Sequence, residues 1–178
     1  MKRKLFVLIF LSVGFAFIFQ GCDKTDNDDT IDTDMYNFAK SSEGNTWFQN
    51  SDEILNTTNI SGHRLKRMRV HYNAEASKML DANGRVKPNI KFGTGSVIVK
   101  EFFDTLGVFH EYAIMYKNPD NVNADTTGWI WGEYSQDGTV IFSAKNRAGS
   151  RTCLPCHAIT DNIDYTLMNK SIPVGVAK

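Results

Sequence analysis

The run Ser96-Val97-Ile98-Val99-Lys100-Glu101-Phe102-Phe103 constrains the fold more than any other segment of this chain. Its β-branched and aromatic residues favour a pleated strand. Neighbouring segments read the same way. Met68, Val70 and Tyr72 alternate with Arg67, Arg69 and His71 at the period of a half-buried strand, and residues 109–117 form another. Residues 129–134 pair with 139–143 across the hairpin signal Gln136-Asp137-Gly138. The middle of the protein is thus expected to be an antiparallel meander. Helical spacing is expected over residues 35–40 and 47–55, and Asn73 is placed to cap a short helix over 74–80 before the turn Asp81-Ala82-Asn83-Gly84. No internal repeat and no strand–helix alternation point to a parallel nucleotide-binding sheet. The expected fold class is α+β, a predominantly antiparallel β-sheet with flanking helices, in one domain spanning 35–178. A hydrophobic share of 42% supports a packed core rather than a disordered chain.

The N-terminus reads differently. Met1-Lys2-Arg3-Lys4 precedes an apolar run from Leu5 to Phe19, too short and too early for a membrane span, which is the pattern of a secretion signal. It ends at Phe19-Gln20-Gly21-Cys22, which resembles a bacterial lipobox, although Phe19-Gln20 departs from the usual leucine and small residue. The expectation is a lipoprotein signal over 1–21, acylation of Cys22, and an exported periplasmic or outer-membrane lipoprotein whose membrane face is open. Residues 22–34, rich in Asp, Thr and Asn, then read as a flexible acidic tether. The full chain balances 20 Lys and Arg against 20 Asp and Glu, so removing Lys2, Arg3 and Lys4 leaves a mildly acidic protein. That argues against nucleic acid as a partner. The basic cluster His63-Arg64-Leu65-Lys66-Arg67-Met68-Arg69 reads first as the solvated face of a strand.

The chemistry is concentrated in Cys153-Leu154-Pro155-Cys156-His157. Two thiols separated by two residues match the spacing of the two haem vinyl groups, and the next residue is an imidazole placed to coordinate iron. One such motif implies one covalent haem c, held near the C-terminal segment by Cys153, Cys156 and His157, with His157 as axial ligand. Three other readings compete. A thioredoxin-like pair expects a βαβ continuation, zinc needs further ligands from His63, His71 or His110, and a disulfide over so short a loop is strained. The sixth iron position is open to Met68, Met79, Met115, Met168, His63, His71 or His110, or to none of them. A filled position gives an electron carrier; an empty one admits a small molecule.

A wider pattern accompanies the motif. Gly62-His63-Arg64, Arg69-Val70, Gly95-Ser96-Val97-Ile98-Val99-Lys100-Glu101, Met115-Tyr116-Lys117 and Gly128-Trp129, followed by the haem motif, resemble cytochrome P-460 and its relative cytochrome c′-beta over residues 47–167. The resemblance implies an antiparallel sheet with flanking helices, usually a homodimer, and haem iron with an open distal side. It matches Lys100 to a lysine that bonds covalently to the haem ring and Arg69 to an arginine near the pocket. Lys100 shares a strand face with Ile98 and Phe102, so its stem would cross an apolar surface, and burial would favour the neutral amine that bond formation needs. Phe102 and Phe103 are candidates for a distal cap, with core packing the alternative; Trp129 and Trp131 read as core. No residue stands out as a proton carrier. The implied function is redox chemistry on, or binding of, hydroxylamine or nitric oxide, with turnover left open and the redox partner unspecified. The alternative is a non-enzymatic electron-transfer or nitric-oxide-binding cytochrome.

Overall fold

A computed structural model describes residues 30–41, 45–58 and 61–170. Among these, seven strands form one antiparallel sheet. In chain order the elements are α1 (Ile31–Lys40), β1 (Thr46–Trp47), β2 (Leu55–Asn56), β3 (Arg67–Tyr72), α2 (Ala74–Ser77), β4 (Val97–Phe103), β5 (Phe109–Lys117), β6 (Trp129–Ser135), β7 (Val140–Phe142) and α3 (Ala148–His157). The strand order is β1-β3-β4-β5-β6-β7, with β2 also paired to β3. The expected meander is present, and every residue of β4 is buried. A strand with apolar side chains on both faces belongs at the centre of a sheet covered on both sides.

Strand alternation sorts the two faces. On one, Met68, Val70, Tyr72, Ile98, Phe102, Met115, Trp129 and Trp131 join Phe48, Phe92 and Met168 in a core cluster. On the other, Val97, Val99, Ile114, Ile130 and Tyr134 receive Ile31, Met35 and Ala39 of α1, residues spaced one helical turn apart. The cross-strand register sets Val70 opposite Lys100, Lys100 opposite Ala113, and Ala113 opposite Glu133, so Lys100 and Glu133 share the face that α1 does not cover.

Three local expectations change. Helix α1 begins at Ile31, inside the segment read as a tether, because Asp32 has distant partners. Its carboxylate accepts hydrogen bonds from the Tyr134 hydroxyl at 2.8 Å, the Ser143 hydroxyl at 2.6 Å and the Ala144 amide at 2.7 Å. Residues 1–29, with the signal and Cys22, lie outside the described residues. The helix expected over 47–55 is replaced by β1, a single 3₁₀ turn at Phe48–Asn50, and β2. There, pairing to the edge of β3 and burial of Phe48 override loose helical spacing. Finally, α2 ends at Ser77 rather than at residue 80, although Asn73 caps it as expected by accepting from the Ala76 amide at 2.9 Å.

Candidate functional site

The C-terminal helix is seated by its start. A Cβ on Gly149 would lie 2.1 Å from the Trp131 carbonyl oxygen, so only glycine lets α3 approach β6 this closely. From that anchor α3 carries Cys153, Cys156 and His157 to the face of the sheet that bears Lys100. Ser61, Gly62 and His63 arrive from the loop before β3, and Leu167 from the chain after α3. Together they line a cavity of about 360 Å³ that also exposes Met68, Glu111, Glu133 and Phe142.

The two cysteines are not bonded to each other; Cys153 is partly buried and Cys156 exposed. Burial pushes the Cys153 thiol up to about 12, with Glu133 adding to the effect. His157 is buried and hydrogen-bonded through Nδ1 to the Tyr165 carbonyl. A carbonyl only accepts, so Nδ1 carries the proton and Nε2 keeps its lone pair. Burial also lowers the His157 pKa to about 3, with Lys100 contributing, so the imidazole is neutral at ordinary pH. A neutral ring with Nδ1 engaged and Nε2 free is the form in which histidine ligates a metal.

Lys100 is buried beside this group. Its ammonium donates to the Thr166 carbonyl at 3.1 Å, and burial lowers its pKa to about 8. The expectation that Lys100 lies on the apolar face with Ile98 and Phe102 holds. Two carboxylates missed in the sequence share the cavity. Glu133 faces His63 Nδ1 at 3.4 Å, and Glu111 meets Arg64 at 3.4 Å through one oxygen while its Oε1 is buried with no partner among the described residues. Their signal was the two-residue period: Glu133 follows Trp131 by two, and Glu111 precedes Ala113 by two.

Arg69 and Phe103 are not brought to the cavity. Arg69 Nε donates to Glu101 at 2.6 Å, its guanidinium stacks 4.7 Å from the Trp47 ring, and Phe103 packs beside it and against Phe109. Both lie on the opposite face of the sheet: Phe103 alternates with Phe102 along β4, and Arg69 of β3 pairs with Glu101 rather than with Lys100. Phe102 stays on the cavity side, buried behind His63 with ring centroids 4.3 Å apart. The basic cluster likewise departs from a solvated strand: β3 begins only at Arg67, and His63 turns into the cavity. Of the candidate sixth ligands, Met68 and His63 line the cavity and Met115 sits behind it. Met79 and Met168 belong to the core cluster, His71 lies across the sheet against Glu101, and His110 is exposed against Asp104.

A family model described as Cytochrome P460 matches residues 45–168, a span that includes every cavity residue named above. The chain belongs to the cytochrome P460 family. No curated protein matches it. Family membership makes this a haem-binding cytochrome, with iron as its metal, and the residues fit the group. Two thiols and an imidazole whose Nδ1 is already engaged line one cavity. Gly62 leaves room beside Cys156, whose sulfur would meet a Cβ there at 3.4 Å. Among the described residues, no group of three or more His, Cys, Asp and Glu side chains is arranged to hold a bare metal ion.

Proposed function

We propose that this cytochrome P460 protein carries one covalent haem c, through thioethers to Cys153 and Cys156 and an axial bond from His157, and uses it on hydroxylamine or nitric oxide. The observation that carries the reading is the state of His157: its Nδ1 proton is committed to the Tyr165 carbonyl and its ring is neutral, beside two thiols at haem c spacing. Haem, when bound, supplies a redox-active iron able to take up a small nitrogen oxide and exchange electrons.

The chain's own groups supply the rest. Oxidising hydroxylamine releases protons, and the Glu133 carboxylate is positioned to accept one and pass it to His63 Nδ1 at 3.4 Å, whose side chain reaches solvent. Lys100 is partly unprotonated near neutral pH, which suits an amine that bonds to the macrocycle. Phe142 and Met68 keep the approach apolar, favouring small neutral ligands over anions. The alternative, a nitric-oxide-binding or electron-transfer cytochrome without turnover, is favoured if Met68 or His63 occupies the sixth position. Export, acylation of Cys22 and attachment to a membrane complete the proposal, on the N-terminal pattern alone. The exposed apolar edge strand β7, with Val140, Ile141 and Phe142, supports association of two copies.

The test uses the haem-loaded protein with an added one-electron acceptor. The reading expects hydroxylamine-dependent reduction of the acceptor, slowed about 100-fold in Glu133→Gln while nitric oxide still binds. Nitric oxide binding with no turnover in either protein assigns the non-enzymatic alternative, and a ferric spectrum of methionine ligation assigns an electron carrier.

A further inference from the structure

Trp131 is bound more elaborately than a core tryptophan requires. It is almost fully buried, and its Nε1 donates to Asp125 Oδ2 at 2.7 Å. The same oxygen accepts from the Ser150 hydroxyl at 3.0 Å, in the first turn of α3. The other oxygen of Asp125 accepts from the Thr127 amide at 2.7 Å and the Trp129 amide at 3.3 Å. One carboxylate therefore ties the β5–β6 connection, strand β6 and helix α3 together. Trp131 then meets α3 twice: Gly149 rests against its backbone carbonyl, and its indole stands edge-on to the His157 ring, centroids 4.7 Å apart at 72°.

We propose that Asp125 and Trp131 form a positioning pair that fixes the plane of the His157 imidazole, and with it the bond from Nε2 to the haem iron. The inference rests on His157 being the axial ligand. The hydrogen bond to Tyr165 sets the tautomer and tethers the ring at Nδ1 alone, and the indole packed across the ring limits its swing about the Cβ–Cγ bond. A carboxylate acceptor holds the indole more firmly than a neutral one, and here it also holds the helix that bears the ligand. Trp129 makes the contrast. It lies 6.4 Å from Trp131, donates to the backbone carbonyl of Asp164 at 3.0 Å, and packs on Phe92.

The haem-loaded wild type is compared with Asp125→Asn, Trp131→Phe and Trp129→Phe by the iron–imidazole stretching band of the ferrous form and by midpoint potential. The pair predicts that Asp125→Asn and Trp131→Phe both shift or split the band and move the potential, Asp125→Asn upward because a negative charge is removed. Trp129→Phe should leave both readings in place even where its melting temperature falls as far. Should Trp131→Phe fail to fold, Asp125→Asn carries the test. Unmoved band and potential in both pair variants, or an equal shift in Trp129→Phe, overturn the pair while leaving the axial ligand intact. An iron–imidazole band that persists unchanged from the wild type in His157→Ala overturns the ligation itself, and the pair with it.

Discussion

Lys100 and Glu101 are neighbours on β4 and face opposite sides of one sheet, and the two sides treat buried charge differently. On the α1 side Glu101, Arg69 and Asp32 all have partners. Burial alone would raise the Glu101 carboxyl, but hydrogen bonds from His71 and Arg69 outweigh it and hold the group below its ordinary value. His71 is held in turn by Asn45 through Nδ1 at 2.8 Å, and Asp32 collects three donors. On the cavity side the accounting is incomplete. Among the described residues, Lys100 has one backbone hydrogen-bond partner and a depressed pKa, Glu111 Oε1 has none, and His157 is bonded through Nδ1 alone. Buried polar groups are ordinarily satisfied, so a face that leaves them open is one that another molecule completes. The α1 face is built for stability and the cavity face for a ligand.

That contrast is open to direct attack. The largest expected effect is on the closed face: Asp32→Ala strands the Tyr134 hydroxyl and the Ala144 amide and should cost about 3 kcal/mol in a denaturant titration, with haem incorporation unchanged. A loss within error of zero would mean that α1 is not pinned as described. On the cavity face the sign reverses. Lys100→Met should stabilise the haem-free protein by about 2 kcal/mol at pH 7, the relief of a charge held in an apolar wall less its one hydrogen bond. Because the folded pKa, about 8, lies below the ordinary 10.5, the penalty is fully present below pH 8 and fades as pH rises from 8 towards 10.5. The advantage of methionine should fade over the same window; an advantage that grows with pH would contradict the burial of Lys100. The smallest effect separates the faces most sharply. Arg69→Ala should cost about 1 kcal/mol through Glu101 and leave the haem spectrum and ligand affinity unaltered, whereas a changed spectrum would return Arg69 to the pocket.

Much of this division was legible in the sequence. The period of two along residues 97–103 places Lys100 with Ile98 and Phe102, and the same arithmetic separates it from Arg69 once the register is known. Without the register, Arg69 could be matched to a pocket by motif alone. Pairing across β3 and β4 decides it, by setting Arg69 opposite Glu101. The grouping of Cys153, Cys156 and His157 in one cavity was readable because the pattern is local: two sulfurs and an imidazole within five residues. The period of two gives the face that Glu111 and Glu133 occupy, but not their roles or that of Asp125 in the β5–β6 connection, since each depends on partners distant in sequence: Arg64 and His63 in the loop before β3, and Trp131 and Ser150. The same holds for Asp32, whose partner Tyr134 is 102 residues away, so a segment polar by composition proved to be the start of a helix.

The claim on which the cavity face depends is that Cys153 and Cys156 hold a haem beside His157. The most direct measurement is the mass of the denatured protein after expression with haem c maturation enzymes. The account predicts the mass of one haem added to the mature chain, retained through denaturation and abolished in Cys153→Ala/Cys156→Ala. An unmodified mass with both thiols free, from cells that mature other c-type cytochromes, would contradict it.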